Sequence, residues 1–174
     1  MEFPDNFTEL ITASYFGLQR AVELLLEMEV VDLNSKDSIY ERSALSWAAG
    51  NEHEAVVKLL LKKGAKVSSN IILKRWLKKR AKDVHNSRDK FQRTPLSYAA
   101  KNGHTAIAQL LLVHKAAVDV RDNFQQTPLL YAAENGRTAI AQLLLVYKAT
   151  VDVIDIHQRT PLSYAAENGH TAIV

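Results

Sequence analysis

The chain carries six histidines, and the pair His53-Glu54 is the feature closest to metal or acid–base chemistry. A zinc-hydrolase helix needs a second histidine four positions after the first, so that both rings reach one ion. In His53-Glu54-Ala55-Val56-Val57 that position is valine. No Walker-type phosphate loop and no Gly-x-Ser-x-Gly elbow is present. The absence of cysteine removes thiolate nucleophiles, thiolate zinc clusters and disulfides. His53, His104 and His170 share one sequence register at the turn into a helix, and read as rings that bond backbone groups of that turn. Asp89, Asp122 and Asp155 share another and read as organisers of turns rather than metal ligands. These residues predict no catalysis, no metal, no cofactor and no small-molecule substrate.

The remaining chemistry is recognition. Three columns stand at fixed offsets from Ser43, Thr94, Thr127 and Thr160. Tyr40, Phe91, Phe124 and His157 precede them, with Lys90 and Asn123 alongside. Arg42, Arg93, Gln126 and Arg159 lie immediately before them. Trp47, Tyr98, Tyr131 and Tyr164 follow one helical turn later. Aromatic residues and arginine are enriched where protein interfaces concentrate their energy. The competing reading is that each aromatic packs on the neighbouring finger, and that Trp47 and the tyrosines are spent on internal packing.

The formal charge of +3 conceals an asymmetry. Between Asn70 and Arg93, nine Lys/Arg stand against two Asp, a balance of +7, so the other residues sum to −4. On a helical wheel Ile72, Leu73, Trp76, Leu77, Ala81 and Val84 share one half. Lys74, Arg75, Lys78, Lys79 and Lys82 share the other, and Arg80 intrudes on the apolar side. The plainest reading of this basic amphipathic helix is one that docks its apolar half on the remaining fold. The others are a partner or acidic-surface contact, a nuclear-import signal around Lys78-Lys79-Arg80-Ala81-Lys82, and electrostatic binding of nucleic acid or anionic membrane.

The elements that position these residues repeat. Thr94-Pro95-Leu96-Ser97-Tyr98-Ala99-Ala100 recurs at Thr127 and again at Thr160, and 24 of 33 positions are identical between 94–126 and 127–159. Ser43-Ala44-Leu45-Ser46-Trp47-Ala48-Ala49 is a looser copy, and Thr8-Glu9-Leu10-Ile11-Thr12-Ala13-Ser14 a more distant one. Leucine triplets recur at Leu24, Leu59, Leu110 and Leu143. The units are 4–38, 39–88 with the basic insertion at 70–87, 89–121, 122–154 and a truncated 155–174. In each, the Thr caps a helix and the Pro fills its first turn, where no N–H is needed. Asn102-Gly103 ends that helix. Ala106, Ile107, Leu110 and Leu111 then form the stripe of a second helix, and Asp119 to Gln125 forms an extended finger. One unit cannot bury two stripes, but a stack can, and each buried leucine contributes roughly 1.5–3 kcal/mol.

A 33-residue period with Thr-Pro-Leu, Ala-Ala, Asn-Gly-His and Leu-Leu-Leu resembles the ankyrin repeat, and most closely the near-identical arrays of fungal multi-repeat proteins. The resemblance implies an all-α solenoid of helix–turn–helix units with extended finger turns, about four and a half repeats long. It further implies a concave face of fingers and first helices that binds another protein, with Lys101, Glu134 and Glu167 at a variable position on that side. Serine or leucine replaces the usual histidine of Thr-Pro-Leu-His at Ser46, Ser97, Leu130 and Ser163. The usual finger glycine is Glu41, Gln92, Gln125 or Gln158. The glycine after the second helix is retained as Gly64 but is Lys115 and Lys148 elsewhere, so a different turn is expected there.

At 174 residues, 47% apolar and 24% charged, the chain can fold as a single domain. No apolar run approaches the ~20 residues of a membrane span. The acidic start Met1-Glu2-Phe3-Pro4-Asp5 lacks a basic n-region. A monomeric module of the cytoplasm, or of the nucleus if the import signal acts, is expected. The fifth unit stops before its leucine triplet, which reads as a fragment of a longer array whose last unit frays.

Overall fold

A computed structural model describes residues 8–27, 31–67 and 86–173, with backbone alone for 65–67. Nine helices occur among them: α1 (Glu9–Tyr15), α2 (Gln19–Glu27), α3 (Ala44–Gly50), α4 (Glu54–Val67), α5 (Pro95–Asn102), α6 (Thr105–Val113), α7 (Pro128–Glu134), α8 (Thr138–Val146) and α9 (Pro161–Glu167). The odd-numbered helices pack in one row, α1 on α3, α3 on α5, α5 on α7 and α7 on α9. Helices α2, α4, α6 and α8 form a second row behind them, each packed on its partner in the first. No strand is present among the described residues; one isolated antiparallel bridge joins Lys36 to Ser43. This is the all-α solenoid that the resemblance implies.

Each first helix begins as its sequence dictates. The side chains of Thr8, Ser43, Thr94, Thr127 and Thr160 accept the N–H three residues on, and Pro95, Pro128 and Pro161 fill the first turn. Ser97 and Ser163, which stand where the family has histidine, complete a capping box by bonding back to the cap residue. The Ala-Ala pairs at 48–49, 99–100 and 132–133 are fully buried, so neighbouring first helices approach closely. Leu60, Leu111 and Leu144 are fully buried in the second row.

Two turns behave differently from expectation. Lys115 and Lys148 do adopt left-handed backbone, with φ of 66° and 64°. Lys115 N–H donates to Leu112 C=O and Ala116 N–H to Leu111 C=O, both at 2.9 Å; Lys148 and Ala149 repeat the pattern on Leu145 and Leu144. This closure satisfies the last helical carbonyls and demands a left-handed residue, so the family's turn persists without its glycine. Gly64 lies inside α4, not after it, because α4 continues to Val67. Regular register resumes at Asn86, whose Oδ1 accepts from Ala117 N–H as Asp119 accepts from Thr150 N–H one unit later. The basic helix of the insertion, with Lys74, Arg75, Lys78, Lys79, Arg80 and Lys82, lies outside the described residues.

Candidate functional site

Each finger is a tight turn built on a buried aspartate. In the third unit Asp89 Oδ1 accepts from Phe91 N–H at 2.9 Å and Arg93 N–H at 2.8 Å. Its Oδ2 accepts from the Tyr98 hydroxyl at 2.5 Å. Asp122 does the same for Phe124, Gln126 and Tyr131, and Asp155 for His157, Arg159 and Tyr164. Asp37 holds Ile39, Tyr40 and Arg42 N–H groups, and there the longer indole Nε1 of Trp47 reaches Oδ2 at 3.0 Å. Further along each finger, Glu41, Gln92, Gln125 or Gln158 takes φ between 52° and 63°. The turn thus keeps the geometry glycine would supply.

The aspartate–tyrosine pairs tie three fingers to their own first helices, and Asp37 with Trp47 does so for a fourth. Burial pushes the Tyr98 and Tyr164 hydroxyls up to about 12, helped by the carboxylate each one bonds. Tyr131 is raised further for the same reasons. At Asp155 burial works against ionisation, but bonds from Tyr164, Arg159 N–H and His157 N–H outweigh it and hold the carboxyl below its ordinary range.

The arginine column joins one unit to the next. The Arg42 guanidinium lies between the rings of Trp47 and Tyr98, 3.7 Å from each centroid. Burial lowers its pKa. Arg93 Nε donates to Tyr131 Oη at 2.8 Å and lies 3.4 Å from Asp122 Oδ2. Gln126 Nε2 reaches Tyr164 Oη at 3.4 Å. Arg159 folds over its own Tyr164 at 4.1 Å and pairs with Glu167 at 3.3 Å. Tyr131 and Tyr164 are buried, so internal packing describes their placement; Trp47 and Tyr98 are half-buried.

The tips are different. Tyr40, Lys90, Asn123, Phe124 and His157 are exposed, and Phe91 is half-buried. Successive tips are joined through backbone: Lys90 N–H to Tyr40 C=O at 2.9 Å, Asn123 N–H to Phe91 C=O at 3.0 Å and Ile156 N–H to Phe124 C=O at 3.2 Å. Lys90 Nζ lies 4.7 Å from the Tyr40 ring and 5.2 Å from that of Phe91. Arg93 lies 5.0 Å from Phe91 and 5.9 Å from Phe124. Lys101 is exposed with its Nζ 5.7 Å from Tyr131, and Glu134 is half-buried one unit on. Exposed Ile39 and Ile156 extend the row; only their place in the 33-residue register marked them in the sequence.

The histidines correct an expectation. His53, His104 and His170 do not bond their own turns. Their Nε2 atoms reach back to the preceding unit, to Tyr15 C=O at 2.9 Å, Gly50 C=O at 3.1 Å and Glu134 C=O at 3.2 Å. Arg137 takes the same role on Lys101 C=O. No group of metal-binding side chains occurs among the described residues.

A family model described as Ankyrin repeats (3 copies) matches residues 2–71, 66–155 and 117–174, nearly the entire chain. The chain belongs to the ankyrin-repeat family. No curated protein matches it. Ankyrin repeats are generally protein-interaction modules and typically non-catalytic. In this ankyrin array, the arginine and tyrosine columns clasp units together, while the fingertip row is directed to solvent.

Proposed function

We propose that this ankyrin array binds another protein along its fingertips and first helices, through Tyr40, Lys90, Phe91, Phe124 and Lys101. The supporting observation is the fingertip row itself. Its aromatic and cationic side chains face solvent while main-chain bonds join each finger to the next. Phe124 and Tyr40 remain 41% and 42% exposed, a cost in hydrated apolar surface that a partner would relieve.

The test is a photocrosslinking residue placed at Phe124 and, separately, at Gln142, which is exposed on α8. A co-purifying partner should crosslink at the first position and not at the second. Equal labelling, or labelling at Gln142 alone, refutes the assignment. Arg93 and Arg159 are poor probes of binding, because both side chains hold internal bonds.

A further inference from the structure

Formal charge is uneven along the array. Between Asn86 and Arg121 six Lys/Arg stand against two Asp, a balance of +4; between Asp122 and Glu167 three Lys/Arg stand against five Asp/Glu, a balance of −2. Neither aspartate of the basic stretch pairs with Lys90 or Lys101. Asp89 is buried and saturated by Phe91, Arg93 and Tyr98. Asp119 is engaged by Thr150 through both N–H and Oγ1, the latter at 2.7 Å. Among the described residues Lys90 and Lys101 form no ion pair. Both ammonium groups are instead steadied by aromatic faces, Lys90 beside Tyr40 and Phe91 and Lys101 beside Tyr131. In the register of Lys101, the next two units carry Glu134 and Glu167.

Resting on the protein-binding reading above, we propose that the occupant is an extended acidic polypeptide segment. Its carboxylates lie over Lys90 and Lys101, its apolar side chains lie on Tyr40, Phe91 and Phe124, and it loses its acidic character where it passes Glu134. A carboxylate brought to Lys90 or Lys101 displaces no competing anion, so the pairing costs little beyond desolvation. The apolar contacts lie beside the charge at Lys90, whose Nζ is 4.7 Å from the Tyr40 ring and 5.2 Å from that of Phe91. Glu134 gives the groove a direction, whereas Glu167 is paired with Arg159. Glu134 also disfavours a nucleic-acid strand, whose charge recurs at every residue, whereas a polypeptide can change sign along its length.

The experiment uses the whole chain and a fluorescein-labelled peptide of alternating glutamate and leucine, followed by fluorescence anisotropy. A lysine–leucine peptide and an oligouridylate strand serve as the other two probes. The acidic peptide should bind, and added salt should weaken it. Lys90→Glu with Lys101→Glu should lower its affinity roughly tenfold or more, and Glu134→Lys should raise it. Circular dichroism should report unchanged folding, because both lysine side chains are exposed. The inference is overturned by no binding of the acidic peptide, by binding insensitive to the lysine reversals, or by equal or tighter binding of either other probe. Should the Phe124 crosslink succeed while the acidic peptide fails, the interaction face stands and its proposed ligand chemistry falls.

Discussion

Replacement of Asp122 by alanine should be among the most damaging single changes in the array. The carboxylate is 3% exposed and accepts from Phe124 N–H at 2.8 Å, Gln126 N–H at 2.9 Å and the Tyr131 hydroxyl at 2.5 Å, with Arg93 Nε at 3.4 Å. Tyr131 is 2% exposed, so water cannot replace the lost acceptor, and an unpaired buried donor costs about 1–3 kcal/mol. Phe124 is exposed and Gln126 half-buried, so water partly rescues their N–H groups, at about 1 kcal/mol each. The expected loss is therefore about 3–5 kcal/mol, a large share of the ~5–15 kcal/mol typical of a domain. Asp122→Asn keeps an oxygen for the two N–H groups and should cost only about 1–2 kcal/mol. Urea unfolding followed by circular dichroism gives the totals. Hydrogen exchange should show the opening centred on α7 and α8, since coupling in a stack passes between neighbours. Asp152→Ala, at an exposed position, is the control and should fall within about 0.5 kcal/mol of wild type. An Asp122→Ala loss no larger than the control's would refute the view that this carboxylate organises the finger.

Three further outcomes follow from the geometry. Tyr98 and Tyr164 have folded-state values near 12 against an ordinary 10, so the stability they contribute is complete below about pH 10 and is lost as pH rises toward 12; urea midpoints near pH 9 and pH 11 should show the fall, and Tyr98→Phe with Tyr164→Phe should flatten it. Lys115→Gly and Lys148→Gly relieve left-handed strain of ~1–2 kcal/mol against a glycine entropy cost of ~0.5–1, so each should stabilise by about 0.5–1 kcal/mol in the same assay. Gly136→Ala and Gly169→Ala separate strain from collision: both glycines have positive φ, but a Cβ at 136 would lie 2.7 Å from the His170 ring while one at 169 meets nothing within 4 Å. The first variant should lose at least about 1 kcal/mol more than the second in thermal melts.

What the sequence disclosed and what it withheld divide along the reach of each interaction. The caps at Thr94, Thr127 and Thr160 act within one helical turn, so their residue types alone located the first helices. The period of 33 placed their neighbours, because identical units bury identical faces. The link from Tyr131 to Asp122 spans nine residues and exists only once the finger folds back, so neither residue's type announced it. His104 reaches Gly50 across 54 positions and the insertion, which local reasoning misplaced on its own turn. Lys115 defied expectation for another reason: residue preference disfavours its conformation, but two hydrogen bonds at the helix end require it. At the fingertips, the residue types flagged both the clasp and the exposed row, and only the folded geometry separated Arg42 between two rings from Tyr40 in solvent.

Main-chain atoms of Lys90, Asn123 and Ile156 bond each finger to the preceding tip, and the one side chain that adds to them is Asn123, whose Nδ2 donates to Lys90 C=O at 3.3 Å. Lineages that copy such units can therefore rewrite the letters at Tyr40, Phe91, Phe124 and His157 with little folding penalty, because amide and carbonyl are common to nearly every amino acid. Inheritance can keep the scaffold constant while what it grips is free to drift.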